Sequence, residues 1–209
     1  MANYTYVELE ITEARSLIDL TGIKWDLDSV AKCCDTYIEC FKEIFHGGKG
    51  DDKLFRALAV AIPVTYARCF KGGVRKRLSA PLNKLLSKEE IDCHQLFLNL
   101  RDKHIAHSVN NFESGTLRVW LNPPERGKQI NLINVSTQYL TAPGCESFAC
   151  LQSVARKLLV WIDEQMLKEE RDVKRIVEQR YTLDALYGMK VNPPKSADIA
   201  DVCKPRKTD

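Results

Sequence analysis

The sequence predicts a mainly α protein: an antiparallel four-helix bundle with a small β-hairpin inserted before its last long helix. Three observations predict it. Four segments carry apolar residues at helical spacing and are separated by Gly, Asn and Pro breaks. The connections between them are mostly short, which favours antiparallel neighbours. Between the third and fourth, two runs rich in β-branched and aromatic residues, TLRVWL and INLINVSTQYL, flank NPPERGKQ.

Taken in order, a short N-terminal helical piece is expected to end at Gly22. Asp26, Asp28 and Ser29 then supply first-turn chemistry for helix one, whose apolar positions Leu27, Val30, Tyr37, Ile38, Phe41 and Phe45 lead to a stop at His46-Gly47-Gly48. Asp51-Asp52 open a second, largely buried helix through about Phe70, kinked by Pro63. After Gly72-Gly73, RKRLSAPLNKLL reads as a short helix or turn broken at Pro81. Ser87 with Glu90 three residues later is a capping-box pattern, starting a helix near Lys88 that should reach about His107. The hairpin, about 116–140, follows. Phe148, Leu151, Ala155, Leu158 and Ile162 mark a long amphipathic helix from Cys145 to about Tyr181, whose charged second half is expected to project from the core. Residues 1–190 are thus one helical domain. Residues 191–209 have too little apolar content to pack and are expected to be a flexible tail.

The chain has 209 residues, 44% hydrophobic and 28% charged, with no apolar run near the ~18 residues of a membrane span. That composition argues against disorder, a collagen-like repeat and membrane insertion. The opening MANYTYVELEITEARS lacks a basic stretch followed by an apolar one, so no secretory leader is expected and a cytoplasmic location is. The eight cysteines include no C-x-x-C pair and are expected to be reduced, mostly as small core residues.

The net charge of +3 hides an asymmetry. Nine basic residues and no acidic ones lie between Lys53 and Lys88, so the positive field belongs to one segment. Arg68, Lys71, Arg75, Lys76 and Arg77 are the candidates for tracking an RNA backbone, with salt-sensitive affinity. The plainer alternative is a solvated basic loop and helix face. Base stacking is not supported there, since Phe70 is the only aromatic in residues 68–88.

The densest polar cluster is Leu100-Arg-Asp-Lys-His-Ile-Ala-His107-Ser108 at the end of the third principal helix. At ~100° per residue, His94 and Ser108 each lie about 20° from Arg101, with His104 about 60° away and His107 about 120° from Arg101. A guanidinium grips phosphate bidentately and an imidazole titrates near neutrality, which suits phosphate binding or phosphodiester cleavage. The plain reading is of polar residues where a helix meets solvent, the histidines complementing its C-terminal dipole. His104-x-x-His107 suggests a metal pair, but two further ligands are not evident and Cys93-His94 does not supply them, so no metal is expected.

Arg101-Asp102 followed by His107 matches the R-x4-6-H motif, and RDKHIAHS resembles the abortive-infection branch of the HEPN (higher eukaryotes and prokaryotes nucleotide-binding) superfamily. The resemblance spans roughly residues 25–180 and is close only around 97–109. It implies a helical homodimer that joins two motifs in one cleft and acts as a metal-independent endoribonuclease of a toxin–antitoxin or phage-defence system, without cofactors. Carried over by position, Arg101 and His107 are the motif residues and Asp102 the polar residue supporting them, with His104, Ser108 and His94 secondary. An antitoxin protein is then a possible partner. A two-fold axis would also answer the 120° separation, since each chain could complete the other's site. The alternative is a non-catalytic HEPN-like module that binds a nucleotide, RNA or protein. A third is a simple helical assembly protein.

Overall fold

Helix α1 runs unbroken from Arg15 to Phe45 in the computed structural model, which describes residues 6–71, 75–105, 113–139 and 143–189. The helix passes through Gly22, where the sequence predicts a stop. Burial of Ile23 and Leu27 just beyond it outweighs the ~1 kcal/mol that a mid-helix glycine costs. Glycine also fits here because a Cβ would lie 2.9 Å from the Arg75 guanidinium. The predicted stop at the other end is present: Gly47 takes φ +86° and the Gly48 N–H reaches back to the Glu43 carbonyl at 2.7 Å.

Helix α2 (Asp52–Arg68) is capped by Asp51, whose Oδ1 accepts from the Lys53 and Leu54 amides, and it continues through the buried Pro63. A single turn, α3 (Leu82–Leu85), follows Pro81. Helix α4 (Lys88–Leu100) opens with the predicted capping box: Glu90 N–H donates to Ser87 Oγ, and Ser87 N–H donates to Glu90 Oε2 at 2.9 Å. Strands β1 (Glu113–Leu121) and β2 (Ile130–Tyr139) pair antiparallel, with one register irregularity beside Leu121. Helix α5 (Cys145–Arg180) and the short α6 (Leu183–Tyr187) complete the described chain.

The molecule is mainly helical, with a small two-stranded sheet. Helix α1 packs on α2 and α5, and α4 packs on the same two, so these four share one core. At its centre Tyr37 stacks on Phe148 with ring centroids 3.8 Å apart, and Phe97 meets Phe148 edge-on at 5.1 Å. The Tyr37 hydroxyl donates to the Pro143 carbonyl at 3.2 Å, so the one polar atom of this stack is satisfied.

The second half of α5 does not stand away from the body, contrary to the expectation from its charge. The early turns of α1 run beside it. Lys24 pairs with Asp163 at 2.6 Å, Ser16 donates to Glu169 at 2.9 Å, and Arg180 binds Glu13. The pairs are exposed or partly exposed and screened by water, so they align the helices more than they stabilise them. The alignment follows from α1 being about three turns longer at its start than the sequence reading made it.

The four described cysteines of the core, Cys34, Cys40, Cys69 and Cys93, are buried thiols, and no disulfide occurs among the described residues. Burial pushes Cys34 and Cys69 up to about 12, so both stay protonated and inert at neutral pH. Among the described residues no helix is long and apolar enough to cross a membrane.

Glu90 also ties α4 to α5, accepting from Ser153 at 3.0 Å and from Lys157 at 2.7 Å. The Lys157 ammonium, then the Ser87 amide and the Ser153 hydroxyl, hold its carboxyl below the usual range. Glu90→Ala is expected to lower the unfolding free energy by about 2 kcal/mol in urea titrations at pH 7. Because the folded carboxyl titrates below its unfolded value of 4.5, that contribution is whole above pH 4.5 and is lost as pH falls through the lowered folded value.

Candidate active site at the end of α4

Regular α-helical bonding ends at Leu100, and residues Arg101–Ile105 form a wider π-helical turn. The sequence predicts α-helix to about His107. The π turn is the difference, and it alters the angular relations beyond Arg101 that an ideal helix would impose. Such turns recur at functional sites because they displace side chains from the regular ladder.

Here the turn presents Arg101 and Asp102 together. Arg101 Nη1 donates to Asp102 Oδ1 at 3.0 Å, while Lys71 Nζ, just past the end of α2, donates to Asp102 Oδ2 at 2.6 Å. One carboxylate therefore bridges two cations drawn from separate elements. The Lys71 ammonium, then Arg101, lowers the Asp102 pKa from 3.8, which keeps the group ionised at neutral pH. Arg101 remains 43% exposed at its side chain, so guanidinium N–H groups are open to an incoming anion.

His94 is on the other side of the boundary between site and core. It is buried, its Nδ1 lies 2.7 Å from the Tyr66 hydroxyl, and its ring meets Phe70 edge-on at 4.7 Å. The residue thus fastens α4 to α2, one turn and more before the cluster, and does not join Arg101 at the surface. Burial, then the Lys71 charge, lowers its pKa from 6.5. The sign follows: the neutral ring's contribution is whole above pH 6.5 and is lost as pH falls from there through the lowered folded value. Wild-type protein is expected to lose unfolding free energy between about pH 7 and pH 5 more steeply than His94→Gln, measured by urea titration at each pH.

His107 and Ser108 lie outside the described residues, and the His104 side chain is not described. The basic residues divide. Arg75 Nη2 binds Asp26 at 2.5 Å with both side chains mostly buried, and Arg68 lies 3.9 Å from the same carboxylate. The Lys76 amide donates to Asp19 Oδ2 at 3.1 Å. Three acids brought in from α1 and the π turn, Asp19, Asp26 and Asp102, therefore face a segment that has no acid in its own sequence. Its field at the surface is weaker than the local count implies.

Comparison of the chain with protein-family models, with curated proteins and with solved structures gave no match. The site is accordingly read from its own residues. Among the described residues, no group of three or more His, Cys, Asp or Glu side chains is placed to hold a metal ion.

One feature escaped the sequence reading. A cleft of about 150 Å³ opens between the start of α1, residues 76–79 and the middle of α5, lined by Asp19, Lys76, Arg77, Trp161 and Glu169 among others. Its residues are far apart in sequence and carry no motif spacing. Only the extension of α1 along α5 brings them together.

Proposed function

We propose that the chain is a HEPN-like antiparallel four-helix bundle, α1, α2, α4 and α5, acting as a homodimeric, metal-independent endoribonuclease. The observation that carries this reading is the Arg101–Asp102–Lys71 arrangement at the end of α4: an accessible guanidinium held by the adjacent carboxylate at 3.0 Å. The motif resemblance assigns Asp102 the role of supporting its arginine, and the geometry is compatible with that role.

In the proposed reaction His107 takes the proton of an RNA 2′-hydroxyl as its oxygen attacks the neighbouring phosphorus. Arg101 stabilises the charge gathering on the phosphorane oxygens. The bond to the 5′-oxygen breaks, that oxygen takes a proton, and the products are a 2′,3′-cyclic phosphate and a 5′-hydroxyl. Asp102 is a positioning residue, fixing the guanidinium and balancing one of the two cations. His104 and Ser108 are placed as secondary groups. The setting proposed is cytoplasmic toxin–antitoxin or phage defence, with an antitoxin protein as partner.

The test is cleavage of end-labelled cellular RNA by purified protein in excess EDTA, with Arg101→Ala and His107→Ala beside wild type and analysis of product ends. Cyclic-phosphate ends that vanish in both variants support the reading. Absence of cleavage by folded protein, or cleavage untouched by the substitutions, rejects it in favour of a non-catalytic module binding RNA, nucleotide or protein.

A further inference from the structure

The β1–β2 hairpin leaves one face apolar and uncovered. The register sets Leu117 opposite Val135 and Val119 opposite Ile133, and the one-residue irregularity between Trp120 and Leu121 brings Ile130 opposite Leu121; directly opposed residues point to the same side. All six side chains are between 45% and 68% exposed. Together they present on the order of 600 Å² of apolar surface, at the upper end of what a monomer leaves to water. The principal packing of each strand is against the other, and a two-stranded hairpin alone is marginal in water.

We propose that this face docks on the same face of a second copy of the chain, hairpin against hairpin about a two-fold axis. The six positions carry no charge and no hydrogen-bonding side chain, so their complement is also apolar, and under a two-fold the face supplies that complement itself. Two such faces bury roughly 1,200 Å², which enters the range of specific, stable interfaces. The two hairpins then stack as layers ~10 Å apart, each giving the other the cover it lacks. Residues 190–209 are a poor substitute occupant, since Val191, Ile199 and Val202 are their only large aliphatics, interspersed with three prolines. The proposal stands on the hairpin and not on RNA cleavage. It does place each motif turn in a pair, because β1 begins eight residues after Ile105, a reach of at most ~28 Å.

Sedimentation equilibrium of the full chain from about 1 to 100 µM tests it, with two variants beside wild type. In the first, Leu117→Thr, Val119→Thr, Ile133→Thr and Val135→Thr keep β-branched residues while removing the apolar face. In the second, Arg118→Thr and Leu132→Thr alter the opposite face. Wild type and the second variant are expected to be dimers, and the first to dimerise at least ~100-fold more weakly with unchanged helical circular dichroism. Amide exchange in residues 113–139 of wild type is expected to slow as concentration rises. A wild-type monomer throughout, a dimer that survives the four threonines, or exchange indifferent to concentration would each overturn the proposal.

Discussion

RNA cleavage in excess chelator is expected to fall by about three orders of magnitude in His107→Ala, and by about two to three in Arg101→Ala. The two losses have different chemical causes. In the proposed reaction, loss of His107 removes the group assigned to take the proton of the 2′-hydroxyl. Without Arg101 the phosphorane loses a charged, bidentate donor that is already oriented by Asp102 at 3.0 Å. Asp102→Asn separates positioning from contact. It keeps the shape but removes the charge that holds Arg101 and Lys71, so cleavage is expected to fall about 10-fold while Lys71→Ala in the same background adds little. Rates from single-turnover reactions with end-labelled RNA check all three. Wild-type rates in each variant would remove Arg101, Asp102 and His107 from the chemistry.

Phe148→Ala is expected to destabilise the fold by about 3–5 kcal/mol, the largest loss from any single truncation in the core. Phe148 is fully buried in the first turn of α5 and lies between Tyr37 of α1 and Phe97 of α4. Its removal leaves Phe97 without its ring partner and Tyr37 stacked on Phe55 alone, and opens a cavity that three helices must share. The midpoint of thermal unfolding should fall by roughly 10 °C. Phe45→Ala, by contrast, removes a ring that is 62% exposed, and a change below ~1 kcal/mol is expected there. Equal losses at the two positions would mean that the core is not organised around the Tyr37–Phe148–Phe97 stack.

The parts of this fold that were legible in the sequence are those in which a few neighbouring residues decide the outcome. Asp51 caps α2 and Ser87 with Glu90 caps α4, because capping is a local hydrogen-bonding event. Gly47 ends α1 because a single positive φ does so. The misreadings arose where distant residues decide. Gly22 is a breaker by propensity, but the surface of α5 beside it makes continued helix the better solution. Angular arithmetic grouped His94 with Arg101, yet Tyr66 and Phe70 on the α2 side claim His94 for the core, and the π turn starts at Arg101 itself. The basic segment was countable in sequence. Its neutralising partners Asp26 and Asp102 were not, since they lie 49 and 31 residues from the cations they bind.

The Glu13–Arg180 contact joins residues 167 positions apart, near the two ends of the described chain. Within the described residues the chain is therefore close to a closed ring: the segment entering α1 and the end of α5 lie side by side. A short linker between them would turn the entry into α1 into one more surface connection, and the chain could be opened instead at the exposed turn of residues 46–49. In such a rearranged molecule every core contact keeps its partners, and only the order in which synthesis delivers the helices changes.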